Sequence, residues 1–131
     1  MSEWIRNNLP SSTRPSCFTT YDVDFVLRNY STNRLAFVEM KCYQCEPAYG
    51  QRLTMELIDE SMRLGILARN EHYGIKSMQW TWCGYWLLQF ENTKPDDGRM
   101  WLNSYELTEE QLRHHLGQIV APTAPGSPSQ K

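Results

Sequence analysis

At 131 residues and 40% hydrophobic content, the chain has room for one domain around one core. Its net charge of −2 excludes a protein that holds nucleic acid by bulk charge alone. No stretch approaches the ~18 apolar residues of a helical membrane span.

The opening residues, MSEWIRNNLP, lack the apolar run that follows the charge in a signal peptide. A soluble, intracellular (cytoplasmic) protein with reduced thiols is therefore expected. Residues 2–8 suit a short helix, with Ser2 as N-cap, Pro10 closing it and Trp4 and Ile5 facing inward. Residues 10–15 read as polar loop, and 16–20 as a short first strand of a three-stranded antiparallel meander.

Residues 21–41, YDVDFVLRNYSTNRLAFVEMK, carry two alternating runs. Tyr21, Val23, Phe25 and Leu27 share one face of the first, and Ala36, Val38 and Met40 one face of the second. The opposite face holds Asp22 and Asp24, then Glu39 and Lys41. The polar stretch 29–33 between the runs has turn chemistry, so a β-hairpin follows. A turn centred on Ser31 and Thr32 sets Asp24 opposite Glu39 and Asp22 opposite Lys41. Carboxylates brought this close repel, and packing has no use for them. A divalent cation relieves the repulsion, since Mg²⁺ takes one or two carboxylates and completes its shell with water and phosphate oxygens.

Residues 42–47 form a loop that leaves the sheet. The main helix is expected over 50–69, where Leu53, Leu57, Ile58, Met62, Ile66 and Leu67 recur at helical spacing. Glu56, Asp59, Glu60 and Arg63 fall on its polar side, and Asn70 is its expected stop. Residues 75–82 and 85–91 read as two strands joined tightly at Cys83-Gly84. Met78, Trp80 and Trp82 would share one face of the first, and Trp86, Leu88 and Phe90 one face of the second. NTKPDDG, 92–98, is a turn, and 99–103 a short strand. Thr108 and Gln111 spell a capping box for a last helix that runs to about Leu116 and ends at Gly117. One domain over 1–120 is expected, followed by a Pro/Ser-rich tail, 121–131, with nothing to bury and expected to be disordered. The fold class is α/β, with a main helix packed across a mixed central sheet.

The D-x-D strand, the turn and the E-x-K strand end resemble the PD-(D/E)XK nuclease superfamily. Glu39 follows Asp22 and Asp24 by 17 and 15 positions, which suits that family's hairpin. Gly50-Gln51-Arg52-Leu53 with Glu56 also resembles the GQR helix start of small phage-encoded members. The resemblance spans residues 20–69. It implies a restriction-endonuclease-like core and a Mg²⁺-dependent deoxyribonuclease (Mn²⁺ as substitute) in the host cytoplasm. Asp24 and Glu39 would be the metal ligands, with Asp22 as co-ligand or substitute and the Met40 carbonyl as a third ligand. Lys41 would orient or deprotonate the attacking water or stabilise phosphate charge. Gln51 would face the site from the helix start, and Arg52 and Arg28 are phosphate contacts by type.

Rival readings stand beside this one. Asp22, Asp24, Glu39 and Lys41 alone would pass for the solvated face of an amphipathic hairpin, and Gln51 for a polar helix start. The same fold without catalysis would be a binder or inhibitor of nucleic acid or a host protein, or a structural or replication factor of a phage. Cys42 and Cys45 with Cys17 and Cys83 would be a zinc site only if they met, and ordinary thiols fit better. His114 and His115 point about 100° apart on a helix and are expected in solvent. Trp80, Trp82, Tyr85, Trp86, Trp101 and Tyr105 fit a base-stacking surface, but core with some self-association surface fits better. Cleavage of both strands of a duplex would call for a C2 homodimer.

Overall fold

The computed structural model describes residues 22–123, together with Trp4, Asn7 and Asn8. Five strands form one mixed sheet: β1 (Phe25–Asn29), β2 (Arg34–Lys41), β3 (Thr81–Phe90), β4 (Met100–Leu102) and β5 (Tyr105–Leu107), in spatial order 1-2-3-4-5. Helix α1 (Tyr49–Tyr73) links β2 to β3, and helix α2 (Glu109–Gln118) follows β5. All neighbours are antiparallel except β2 and β3, which run parallel across the α1 crossover. The chain is thus an α/β fold, and no helix among the described residues is long and apolar enough to cross a membrane.

The hairpin forms in the expected register. Phe25 pairs with Val38 and Leu27 with Ala36, and continuing this register sets Asp24 opposite Glu39. Asn29 fixes the turn, its Oδ1 accepting the N–H groups of Ser31 (2.9 Å) and Thr32 (3.2 Å). Such an Asx turn is what the polar stretch promised. The strand begins later than expected, at Phe25, so Asp22 and Asp24 lie in its extended lead-in.

The two sheet faces differ in kind. On one, Ala36, Val38, Trp86, Leu88, Phe90, Met100 and Leu102 pack with Leu112 and Ile119 from α2 and its end. This is the core, and its single dominant source of stability is apolar area removed from water. On the other face, beneath α1, lie Leu35, Phe37, Glu39 and Lys41 of β2, with Trp82 and Tyr85 of β3. Phe37 meets Trp82 and Tyr85 edge-on, at centroid distances of 5.0 and 5.6 Å.

Several sequence expectations change. The two strands over 75–82 and 85–91 are one strand, preceded by a 3₁₀ turn at Lys76–Met78. Cys83-Gly84 is a bulge within it: Leu35 pairs with Trp82 but Phe37 with Tyr85, so β3 holds one extra residue. Gly84 sits at φ 120°, which suits glycine, and a Cβ there would lie 3.1 Å from the Trp86 indole nitrogen. A parallel partner, not a hairpin, therefore organises this stretch, and neither strand propensity nor alternation reveals a partner's direction.

Helix α1 overruns Asn70 and stops at Gly74, which caps it at φ 63° with its N–H donated to Asn70 O. Asn70 instead clamps the helix to the sheet, donating to Trp80 O (2.7 Å) and accepting from Trp80 N–H (2.9 Å). The sheet-facing side is Met55, Ile58, Asp59, Met62, Ile66 and Asn70, while Leu53, Leu57 and Leu67 are exposed. Asp59, expected on the polar side, accepts from Trp82 Nε1 (2.8 Å) and Tyr85 N–H (3.2 Å) across the bulge.

Strand β5 was not expected. Helix α2 has the expected Thr108–Gln111 capping box, but passes through Gly117 to Gln118. His115 is half-buried and its Nδ1 contacts Val120 O at 2.6 Å, whereas His114 is exposed. Of the late aromatics only Trp82 and Trp86 are buried; Trp80, Tyr85 and Trp101 are half-buried and Tyr105 is exposed. Of the helix expected over 2–8, Trp4, Asn7 and Asn8 are helical. The strand expected over 16–20 and most of the tail lie outside the described residues.

Candidate functional site

The site forms where β2 ends under the first turn of α1. Lys41 and Gln89 lie side by side in the parallel ladder, as do Glu39 and Leu87. Buried Gln89 donates to Cys45 O (2.9 Å) and to Glu46 Oε1 (3.3 Å), which pins the loop between β2 and α1. That anchoring brings the start of α1 over Glu39. There Gln51 Nε2 donates to Glu39 Oε1 at 2.9 Å. Lys41 Nζ lies 3.9 Å from the same oxygen.

Glu39 is only 5% exposed, and its second oxygen, Oε2, is buried without a hydrogen-bond partner. A carboxylate oxygen left so is costly unless another charge meets it. Asp24 stands beside it. Its Oδ2 accepts the Met40 N–H at 2.8 Å, which docks the β1 lead-in against the end of β2. Burial first, then the Asp24 charge, push the Glu39 carboxyl above its ordinary value, with Gln51 and Lys41 opposing. A buried carboxyl raised by a neighbouring carboxylate's charge is relieved by a proton or by a cation.

The five proposed residues are not all drawn to one point. Asp24, Glu39, Lys41 and Gln51 come together. Asp22 instead lines an adjoining cleft of about 250 Å³ with Gln51, Met55 and Tyr85. No group of three or more His, Cys, Asp or Glu side chains is arranged to hold a metal among the described residues, so the expected meeting of three carboxylates becomes a pair. Two carboxylates, one with an orphaned buried oxygen, still match the oxygen-rich, water-completed shell of Mg²⁺. Cys42, Cys45 and Cys83 are free thiols; Cys17 lies outside the described residues.

Tyr85 is a site residue the sequence did not mark. Burial, then the Glu39 and Asp24 charges, push its phenol up to about 12, so it stays a neutral hydrogen-bond donor beside the pair. Nothing in the spacing of Tyr85 points to this role, because it depends on the parallel register of β3 against β2. Of the two arginines, Arg52 is paired to Glu46 at 2.5 Å. Arg28 lies further along β1, over the rings of Tyr30 and Trp80.

No protein-family model, curated protein or solved structure matches the chain.

Proposed function

We propose that this protein is a metal-dependent nuclease that hydrolyses DNA phosphodiester bonds, with a restriction-endonuclease-like site of the PD-(D/E)XK kind. One observation carries the reading: buried Glu39 offers Oε2 to no protein group while Gln51 holds Oε1 and Asp24 stands alongside. A cation bound by this pair would supply Lewis acidity and a more acidic water.

The protein's own groups do the rest. Gln51 holds Glu39 by Oε1 and leaves Oε2 without a protein partner. The Met40 N–H holds Asp24 in place by its outer oxygen. Lys41, at the rim of the pair, is placed to orient a water or to offset charge developing on the phosphate. Tyr85, its phenol pushed up to about 12 by burial and by the Glu39 and Asp24 charges, lines the adjoining cleft as a neutral hydroxyl. The α1 N-terminus adds partial positive charge at the side where phosphate would arrive.

The test is cleavage of labelled duplex, single-stranded, four-way-junction and flap DNAs and one RNA, with Mg²⁺, Mn²⁺ or EDTA, beside Glu39→Gln. Cutting that needs the metal and disappears in the variant is expected. A folded protein that cuts none of these substrates overturns the reading.

A further inference from the structure

Among the described arginines one is set apart from the rest by its partners. Every other described arginine gives its guanidinium to a carboxylate or a carbonyl: Arg34 to Ile119 O, Arg52 to Glu46, Arg63 to Asp59, Arg69 to Met78 O, Arg99 to Glu106 and Arg113 to Glu109. Arg28 has no such acceptor among the described residues. Its guanidinium lies over two rings, 4.7 Å from the Tyr30 centroid and 4.8 Å from that of Trp80.

The placement has a clear consequence. The rings take up the guanidinium's π surface, while its N–H groups, on an exposed side chain with no carboxylate or carbonyl partner among the described residues, remain to grip phosphate bidentately. Tyr30 stands on the hairpin turn and is 78% exposed, so the ring face away from Arg28 is open to solvent. Asn70 grips Trp80 by both backbone groups, which makes the inner ring a fixed support rather than a loose one.

The stack is in line with the carboxylates. Asp24, Val26 and Arg28 alternate onto the same side of the chain, and Val26 between them is 58% exposed, so the strip is open. Four residues of extended chain cover about 14 Å at roughly 3.4 Å each. That distance is about four nucleotides of a B-form strand.

We propose that Tyr30, Arg28 and Trp80 form a holding subsite for single-stranded nucleic acid: an unpaired base stacks on the outer face of Tyr30, and the adjoining phosphate sits on the Arg28 edge. This deepens the nuclease reading and rests on it for the claim that the held strand is substrate. A base-stacking face is indifferent to base identity, so the subsite selects unpaired strand and not sequence. It also supplies local attraction for a chain whose overall charge gives none.

The experiment measures binding of a labelled single-stranded DNA and the matching duplex in EDTA, where nothing is cut, by fluorescence anisotropy. It compares the unaltered protein with Tyr30→Ala, Tyr30→Phe, Arg28→Ala and Arg28→Lys, all at exposed positions and each checked for fold by circular dichroism. Tyr30→Ala should weaken single-strand binding on the order of 5- to 100-fold, with Tyr30→Phe close to unaltered. Arg28→Lys should not restore what Arg28→Ala loses. No single-strand binding by the unaltered protein, or equal binding by Tyr30→Ala, overturns the subsite. Cleavage is scored separately: binding lost in Tyr30→Ala without cutting by any form sustains the subsite and removes the nuclease, whereas cutting with unchanged binding does the reverse.

Discussion

Gln51 and Glu39 are joined by a 2.9 Å hydrogen bond from the first turn of α1 to the C-terminal end of β2. The bond divides the labour of one carboxylate. Oε1 is held by the helix, and Oε2 is left buried and unpaired beside Asp24.

Removing Gln51 should therefore loosen both fold and metal site. Gln51→Ala strands Oε1 as well, and stability should fall by about 1–3 kcal/mol, the cost of an unsatisfied buried acceptor. Denaturant melts measure the loss, and titration calorimetry should show weaker Mg²⁺ binding. An unchanged Mg²⁺ affinity would mean that the orientation of Glu39 does not matter to the ion.

Stability should depend on pH in a direction set by Glu39. Its folded carboxyl is raised above 4.5, so the folded protein holds the proton more tightly than the unfolded chain. The contribution is fully present below that ordinary value and is lost as pH rises through the raised one. On the proposed reading Mg²⁺ takes the deprotonated pair and should restore stability above that window. Melts between about pH 4 and 8, with EDTA or Mg²⁺, measure it as the difference between the unaltered protein and Glu39→Gln. A difference flat with pH would contradict the raised carboxyl.

Lys41→Ala should reduce cleavage on the order of 100- to 10,000-fold with the fold intact. Lys41 sits at the rim of the carboxylate pair, 3.9 Å from Glu39 Oε1, with its side chain 27% exposed, and it is outside the buried core cluster. Retained cleavage would take Lys41 out of the chemistry.

Asp24→Asn should weaken Mg²⁺ binding more than Asp22→Asn. Asp24 is fixed by Met40 N–H and acts on Glu39 directly, whereas Asp22 lines the neighbouring cleft. Calorimetric titration of both variants decides the order, and the reverse order would exchange their roles.

Asp59→Ala should destabilise by about 1–3 kcal/mol, because Trp82 Nε1 and Tyr85 N–H both lose their shared acceptor at the bulge. A chemical denaturation curve measures it. Gly84→Ala should cost on the order of 1–3 kcal/mol through φ 120° and the approach to Trp86.

Local patterns in the sequence carried the hairpin, its register and the last helix's cap. Alternation put Ala36, Val38 and Met40 on one face and Glu39 and Lys41 on the other, because side chains in a strand alternate whatever they later pack against. Asn29 announced the turn, and Thr108 with Gln111 announced the cap, because both devices close within a few residues. The order Asp24, Glu39, Lys41, Gln51 was likewise legible along the chain.

Only the tertiary structure decided the rest. The parallel pairing of β2 with β3 spans a 25-residue helix, and no local pattern encodes a partner's direction. From that pairing follow the single strand through Gly84, the place of Tyr85 beside the carboxylates and the capture of Asp59 by Trp82 and Tyr85. The rotation of α1 is set by Asn70 and Asp59 gripping the sheet, so Leu53 and Leu57 face water although their spacing suits a core. Gln51 reaches Glu39 because Gln89, 38 positions away, ties down the loop between them. Spacing names the residues of a site, but bonds between distant segments decide which of them meet.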